Sequence, residues 1–144
     1  MSKFVYLSGY MNNDVPETKD WRNTASDYLS FEGIDTLDPW RGKTSSNGKI
    51  NLEKKEPRLL IDRDFNDCQR SDIILINLNQ YGIQRQMIGT LAELGWAWAL
   101  RKPTVIFAKE GEPNLNHPFV CGIATVVCNS LQEAIEWVVF LAKD

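Results

Sequence analysis

Apolar positions along this chain switch repeatedly between a two-residue and a helical period. "KFVYLSG" (Lys3 to Gly9) is a short β-type run closed by a glycine, and Lys19 to Gly33 carries Trp21, Ala25, Tyr28 and Leu29 at helical spacing before a second glycine. "IDTLDPW" follows as a brief strand stopped by Pro39, and the polar stretch from Arg41 to Pro57 reads as an exposed loop. It is longer than most connections, a length common in lids and binding loops. Arg58 to Asp72 has a helical apolar face at Leu59, Leu60, Phe65 and Cys68, and "IILINL" (Ile73 to Leu78) is a continuous apolar run typical of a parallel strand buried on both faces. A helix around Glu93, the strand "TVIFA", a short strand over Ile123 to Cys128 and an amphipathic helix complete the chain. Ser130 and Glu133 have the spacing of a capping box at the start of that last helix. Strand and helix thus alternate about five times, which predicts an α/β fold. It is a single domain over residues 1–144, a doubly wound five-stranded parallel sheet in a three-layer sandwich of flavodoxin-like or Rossmann-like kind. Ligands of such folds sit at the carboxyl ends of the strands.

The stretch "MIGTLAELGWAWALRKP" (Met87 to Pro103) is unusual within this pattern. It is apolar on nearly every side from Leu91 to Leu100, so it predicts a buried helix, yet it carries Glu93. Thr90 and Glu93 have capping-box spacing, which accounts for a carboxylate in a first helical turn and would hold it ionised there. An ionised, partly desolvated carboxylate is also what nucleophilic catalysis by a carboxylate requires. Gly82 and Gly89 bracket the preceding loop, and Gly95 stands two residues past Glu93, where a missing side chain lets another element or a ligand come close.

Composition narrows the function classes. At 144 residues the chain is long enough to bury a core without staples, and its 43% hydrophobic and 24% charged residues are ordinary. A net charge of −3 gives no footprint for nucleic acid, so a small ligand is expected. Cys68, Cys121 and Cys128 are widely spaced and odd in number, as expected of reduced thiols in the cytoplasm. Neither a signal-peptide pattern nor an apolar span of membrane length is seen, so no membrane association is expected.

Three familiar motifs fail. "GKT" at Gly42 to Thr44 lacks the glycine of a P-loop five positions earlier, where Leu37 stands. A receiver domain would need an aspartate at the end of the third strand, where "INLNQ" supplies none. His117 is the single histidine and has no G-x-S-x-G elbow to serve, so it reads as a surface or packing residue.

Three blocks together resemble the nucleoside 2-deoxyribosyltransferase family and its relatives that hydrolyse nucleotide N-glycosidic bonds. These are "FVYLSGYM", Asp64 placed eight residues ahead of Asp72, and "IGTLAELGWAWALRKPTVIF". The last block, G-T-x-x-E-x-G followed by A-x-A-x-x-K-P and a strand, is the most specific. The resemblance implies that Glu93 is the nucleophile that attacks C1' of the deoxyribose. It implies that Tyr6 orients Glu93, that Asp64 contacts sugar or base and manages the proton of the leaving base, and that Ser8, Gly9 and Gly89 lie beside the substrate. It further implies a homodimer or higher homo-oligomer with shared sites, in which Asn116, or nearby Asn114, caps the 5' end of a neighbour's sugar. Neither cofactor nor metal is implied; the partners are a nucleoside or nucleotide and a nucleobase. Six residues before the nucleophile the family carries Asp or Ser, where this chain has Met87.

The chemistry suits the residues. Loss of a base leaves oxocarbenium character at C1', which an anion beneath the sugar stabilises before it bonds, as in retaining glycosidases. Trp40 and Arg41 are candidates to stack on and hydrogen-bond the base, or equally a sheet cover and a solvated cation. Arg22, Arg41 and Arg85 leave a 5'-phosphate open, while Asp62 and Asp67 are expected to be solvated. The expected activity is therefore a 2'-deoxyribosyl transfer between bases. The alternatives are an N-glycosidase of (deoxy)nucleoside 5'-monophosphates and a non-catalytic nucleotide-binding module.

Overall fold

The computed structural model describes residues 2–41, 44–46, 49–51, 57–83 and 86–143, with the side chains of 44–46 and 49–51 outside the description. The elements run β1 (Lys3–Gly9), α1 (Glu17–Phe31), β2 (Ile34–Leu37), β3 (Thr44–Ser46), β4 (Lys49–Asn51), α2 (Pro57–Arg70), β5 (Ile73–Asn77), α3 (Ile88–Ala99), β6 (Thr104–Phe107), a 3-10 turn (Pro113–Asn116), α4 (Pro118–Cys121), β7 (Val126–Cys128) and α5 (Leu131–Ala142). Five strands form one parallel sheet in the order β2-β1-β5-β6-β7, and β3 and β4 form a separate antiparallel pair. The chain order reverses between β1 and β5, the topological switch point at which open α/β sheets place their ligands. The expected three-layer α/β fold is the one observed.

The alternation of β1 decides what reaches that point. Val5 and Leu7 pack with Trp21, Ala25 and Leu29 of α1 and with Ile135 and Val138 of α5. Tyr6 joins the opposite layer, with Cys68 of α2 and Leu94 and Ala97 of α3. Every residue of β5 is buried, which explains its unbroken apolar run. Helix α1 stops because Gly33 turns the chain with φ of 78°, a left-handed conformation that a glycine adopts without steric cost. Ser130 caps α5, its Oγ accepting from the Glu133 amide at 3.2 Å, as its spacing predicts.

The structure differs from expectation in two places. The polar segment after Arg41 contains the β3–β4 hairpin, although residues 42–43, 47–48 and 52–56 lie outside the described residues. Helix α3 is buried along one stripe only (Thr90, Glu93, Leu94 and Ala97), while Ile88, Leu91 and Trp98 are exposed. Its apolar outer face is therefore left at the surface among the described residues. Among the described residues no helix is long and apolar enough to cross a membrane.

Candidate active site

Glu93 comes to the switch point from the second turn of α3. The expected capping box is not formed: the helix begins at Ile88 with Met87 at the cap, three residues before Thr90 can serve, and no side chain caps it. Glu93 is thus too far along for the helix N-terminus to hold its charge. Its carboxylate instead crosses to β1. The Tyr6 hydroxyl donates to Oε2, and Ser8 Oγ donates to Oε1 at 2.7 Å. Each oxygen accepts one bond, so lone pairs remain on both for chemistry.

The electrostatics follow from burial. Desolvation pushes the Glu93 carboxyl above its ordinary value of 4.5, the Tyr6 and Ser8 hydrogen bonds draw it back, Asp64 adds to the rise and Arg22 opposes it. Burial, then the charges of Glu93 and Asp64, push the Tyr6 hydroxyl up, so Tyr6 stays protonated and acts as a donor. Cys68, fully buried below, is likewise pushed up by burial and stays a thiol. A buried thiol without thiolate character is no nucleophile. Glu93 is the group here with both a charge and an aligned set of donors.

Asp64 extends from α2 into the same locality, near enough to raise Glu93, Tyr6 and Cys68, and its Oδ1 lies 3.6 Å from Nε of Arg63. Gly9 ends β1 with room for nothing more: a Cβ there would lie 3.1 Å from the Trp21 ring and 3.2 Å from the Asn77 carbonyl oxygen. Gly89 is open, with no atom within 4 Å of such a Cβ, and stands one turn ahead of Glu93 on the same helix face. The other wall is more committed than the sequence suggests. Trp40 is buried at 7% exposure, with Lys19 and Arg22 over its ring, and Arg41 pairs with Asp67 at 2.6 Å and donates to the Asp38 carbonyl.

Several side chains sit where the sequence did not place them. Asp67 is buried, not solvated, because Arg41 and Arg70 both pair with it. Asp62 is on the exposed face of α2 with Arg58, as expected. Arg22 is fully buried and bonded to the sheet, so it is closed to a 5'-phosphate, and Arg85 lies outside the described residues. Met87 packs into the core beside Leu94 and Leu78. Asn116 is exposed in the 3-10 turn. His117 is at the surface, as expected, and caps α4, its Nδ1 accepting from the Phe119 amide at 3.1 Å. Asn77, unnoticed in the sequence, shapes the end of β5 by bonding Tyr81 and Asn79. Among the described residues no three His, Cys, Asp or Glu side chains converge as a metal site.

A buried carboxylate, two hydroxyl donors and an open glycine thus meet at the topological switch point. The whole chain is similar in structure to 2-desoxiribosyltransferase from Leishmania mexicana, with 16% identity, a TM-score of 0.73 and coverage of 96% of this chain and 97% of that one. It is similar to 2-deoxyribosyltransferase from Bacillus psychrosaccharolyticus, with 18% identity, a TM-score of 0.69 and coverage of 92% and 90%. The CMP N-glycosidase of Clostridium botulinum is also similar, with 16% identity, a TM-score of 0.63 and coverage of 96% and 99%. No curated protein sequence matches significantly. The model of the family described as nucleoside 2-deoxyribosyltransferase matches residues 5–128, so this chain belongs to the nucleoside 2-deoxyribosyltransferase family, enzymes that are pentosyltransferases or N-glycosidases of nucleosides and nucleotides.

Proposed function

We propose that the chain transfers 2'-deoxyribose between nucleobases through an ester on Glu93. The observation that carries this reading is the buried Glu93 carboxylate held at both oxygens by Tyr6 and Ser8. One Glu93 oxygen bonds to C1' as the C1'–N bond breaks, the electron pair of that bond leaves with the base, and Asp64 relays to the base a proton taken from solvent. A second base then attacks C1', gives its proton to Asp64 and restores the carboxylate. The hydroxyl donors keep Glu93 in line beneath the sugar, and Gly89 leaves space for the ring.

A nucleoside fits better than its 5'-monophosphate. Three guanidinium groups near the crevice are engaged within the fold: Arg22 on β1 carbonyls, Arg41 on Asp67, and Arg63 on the carbonyls of Pro39 and Arg41. Incubation with a deoxynucleoside and a different free base is expected to yield the exchanged nucleoside, followed by chromatography. Base release from a deoxynucleoside monophosphate alone, with no exchange, would replace this reading with a hydrolase.

Asn116 serves the site of a neighbouring copy in this account. The 3-10 turn and α4 face Leu91, Leu94 and Gly95 across a cavity of about 270 Å³ that Asn114 also lines, whereas Glu93 hydrogen-bonds to β1. By helical geometry these are opposite flanks of α3. Asn116→Ala and Glu93→Gln are each expected to be inactive, and mixing the two proteins should restore part of the activity. A mixture as inactive as its parts would remove the shared site.

A further inference from the structure

Strand β1 outruns its neighbour. Its pairing with β2 ends at Tyr6 and Leu37, while its pairing with β5 continues to Gly9 and Asn77. Beyond Tyr6 the β2-side carbonyls of β1 therefore have no strand to bond, and carbonyls two residues apart point to the same edge. Arg22 fills that gap. One terminal nitrogen donates to the Leu7 carbonyl at 2.7 Å, the other to the Gly9 carbonyl at 2.7 Å, and Nε donates to the Thr18 carbonyl at 3.2 Å. The first nitrogen also meets Asp38 Oδ1 at 3.1 Å, and that same oxygen accepts from the Trp40 amide. The residue between the two clamped carbonyls is Ser8, which donates to Glu93.

We propose that Arg22 is a positioning residue for the transfer reaction: its planar fork replaces the missing stretch of β2, fixes the peptide units on both sides of Ser8, and so aims the Ser8 hydroxyl at Glu93. The proposal rests on Glu93 being the reacting carboxylate. A burial this complete is costly for a cation, and a guanidinium tolerates it because its donors are matched by carbonyls and a carboxylate. Lysine keeps the charge but, as a point donor on a flexible stem, cannot hold two carbonyls in one plane. The groups that face Glu93 are Tyr6 and Ser8 from β1, Asp64 and Cys68 from α2 and Arg22 from α1. Of these, Arg22→Lys alters Arg22 alone and keeps a basic side chain there, and its comparison with Ser8→Ala in the same cycle separates geometry from any change of charge at Arg22.

The test is a double-mutant cycle on Ser8→Ala, Arg22→Lys and the double variant, read by the ¹³C titration of the Glu93 carboxyl in the unliganded protein and by kcat and KM. Arg22→Lys is expected to lower kcat by about tenfold with KM nearly unchanged, and to move the Glu93 titration upward as Ser8→Ala does. The double variant should move it no further than Ser8→Ala alone, because the two act through one hydrogen bond. Additive shifts, or a titration that Arg22→Lys leaves in place, would overturn the proposal. Through-hydrogen-bond couplings from the Arg22 nitrogens to the Leu7 and Gly9 carbonyl carbons give a second test in the unsubstituted protein, and their absence overturns it as well. A wild-type protein without turnover would refute the transfer reaction, while the titration still decides the role of Arg22.

Discussion

Glu93→Gln is expected to lower deoxyribosyl transfer by on the order of 10⁴-fold or more, the scale on which loss of a covalent nucleophile is felt. The same substitution should make the protein more stable at neutral pH. Burial holds the native carboxyl above its ordinary value of 4.5. The wild-type protein is then most stable, as far as this group is concerned, below the unfolded carboxyl's pKa, and loses that stability as pH rises through the raised native value. A neutral amide escapes the penalty and can still bond Tyr6 and Ser8. The melting temperature of Glu93→Gln should therefore exceed that of wild type near pH 7. The gap should close as pH falls toward the ordinary carboxylate range. A variant less stable than wild type at pH 7 would mean that the site is not strained by its charge, and retained turnover would mean that Glu93 is not the nucleophile.

Tyr6→Phe should have the larger effect of the two changes that remove a donor from Glu93. It removes the donor on Oε2 and leaves a buried ring of nearly the same shape, so the core beside Cys68 and Leu94 survives. A hydrogen bond to a charged group contributes about 1.5–3 kcal/mol, which corresponds to a loss of roughly 10- to 100-fold in kcat if the bond helps to orient the attacking carboxylate. The sign of the pH effect is fixed by the same bond. It lowers the Glu93 pKa, so its loss must raise that value further and shift the acid limb of the kcat profile to higher pH. An acid limb that stays in place or moves down would place Tyr6 outside the Glu93 hydrogen-bond set.

The sequence made the sheet readable because its strands carry two distinct patterns, the alternation of "FVYLS" and the unbroken run "IILIN", and because glycines punctuate the helices. Glu93 was legible as a charge within an apolar helix, though for a reason that proved wrong. The capping pattern at Thr90 depends on where the helix begins, and tertiary packing of Met87 moved that start to Ile88. Arg22 and Asp67 were not legible as buried groups. Each is one polar residue on a helix whose partners, the Leu7 and Gly9 carbonyls and Arg41, come from elements far away in the chain. The only signal for Arg22 was its place beside Trp21 on the apolar face of α1. The exposure of Ile88 and Leu91 was not legible for a related reason, since an apolar residue at the surface reads in sequence like one facing the core.

The proposed transfer passes through an ester between Glu93 and the sugar. Its most direct test is mass spectrometry of the protein quenched in acid during turnover of a deoxynucleoside, with the modified peptide sequenced. The expected result is a mass gain of one deoxyribosyl group on the peptide containing Glu93, absent from Glu93→Gln. Exchange of bases with no such adduct under conditions that trap esters, or an adduct on another residue, would contradict it.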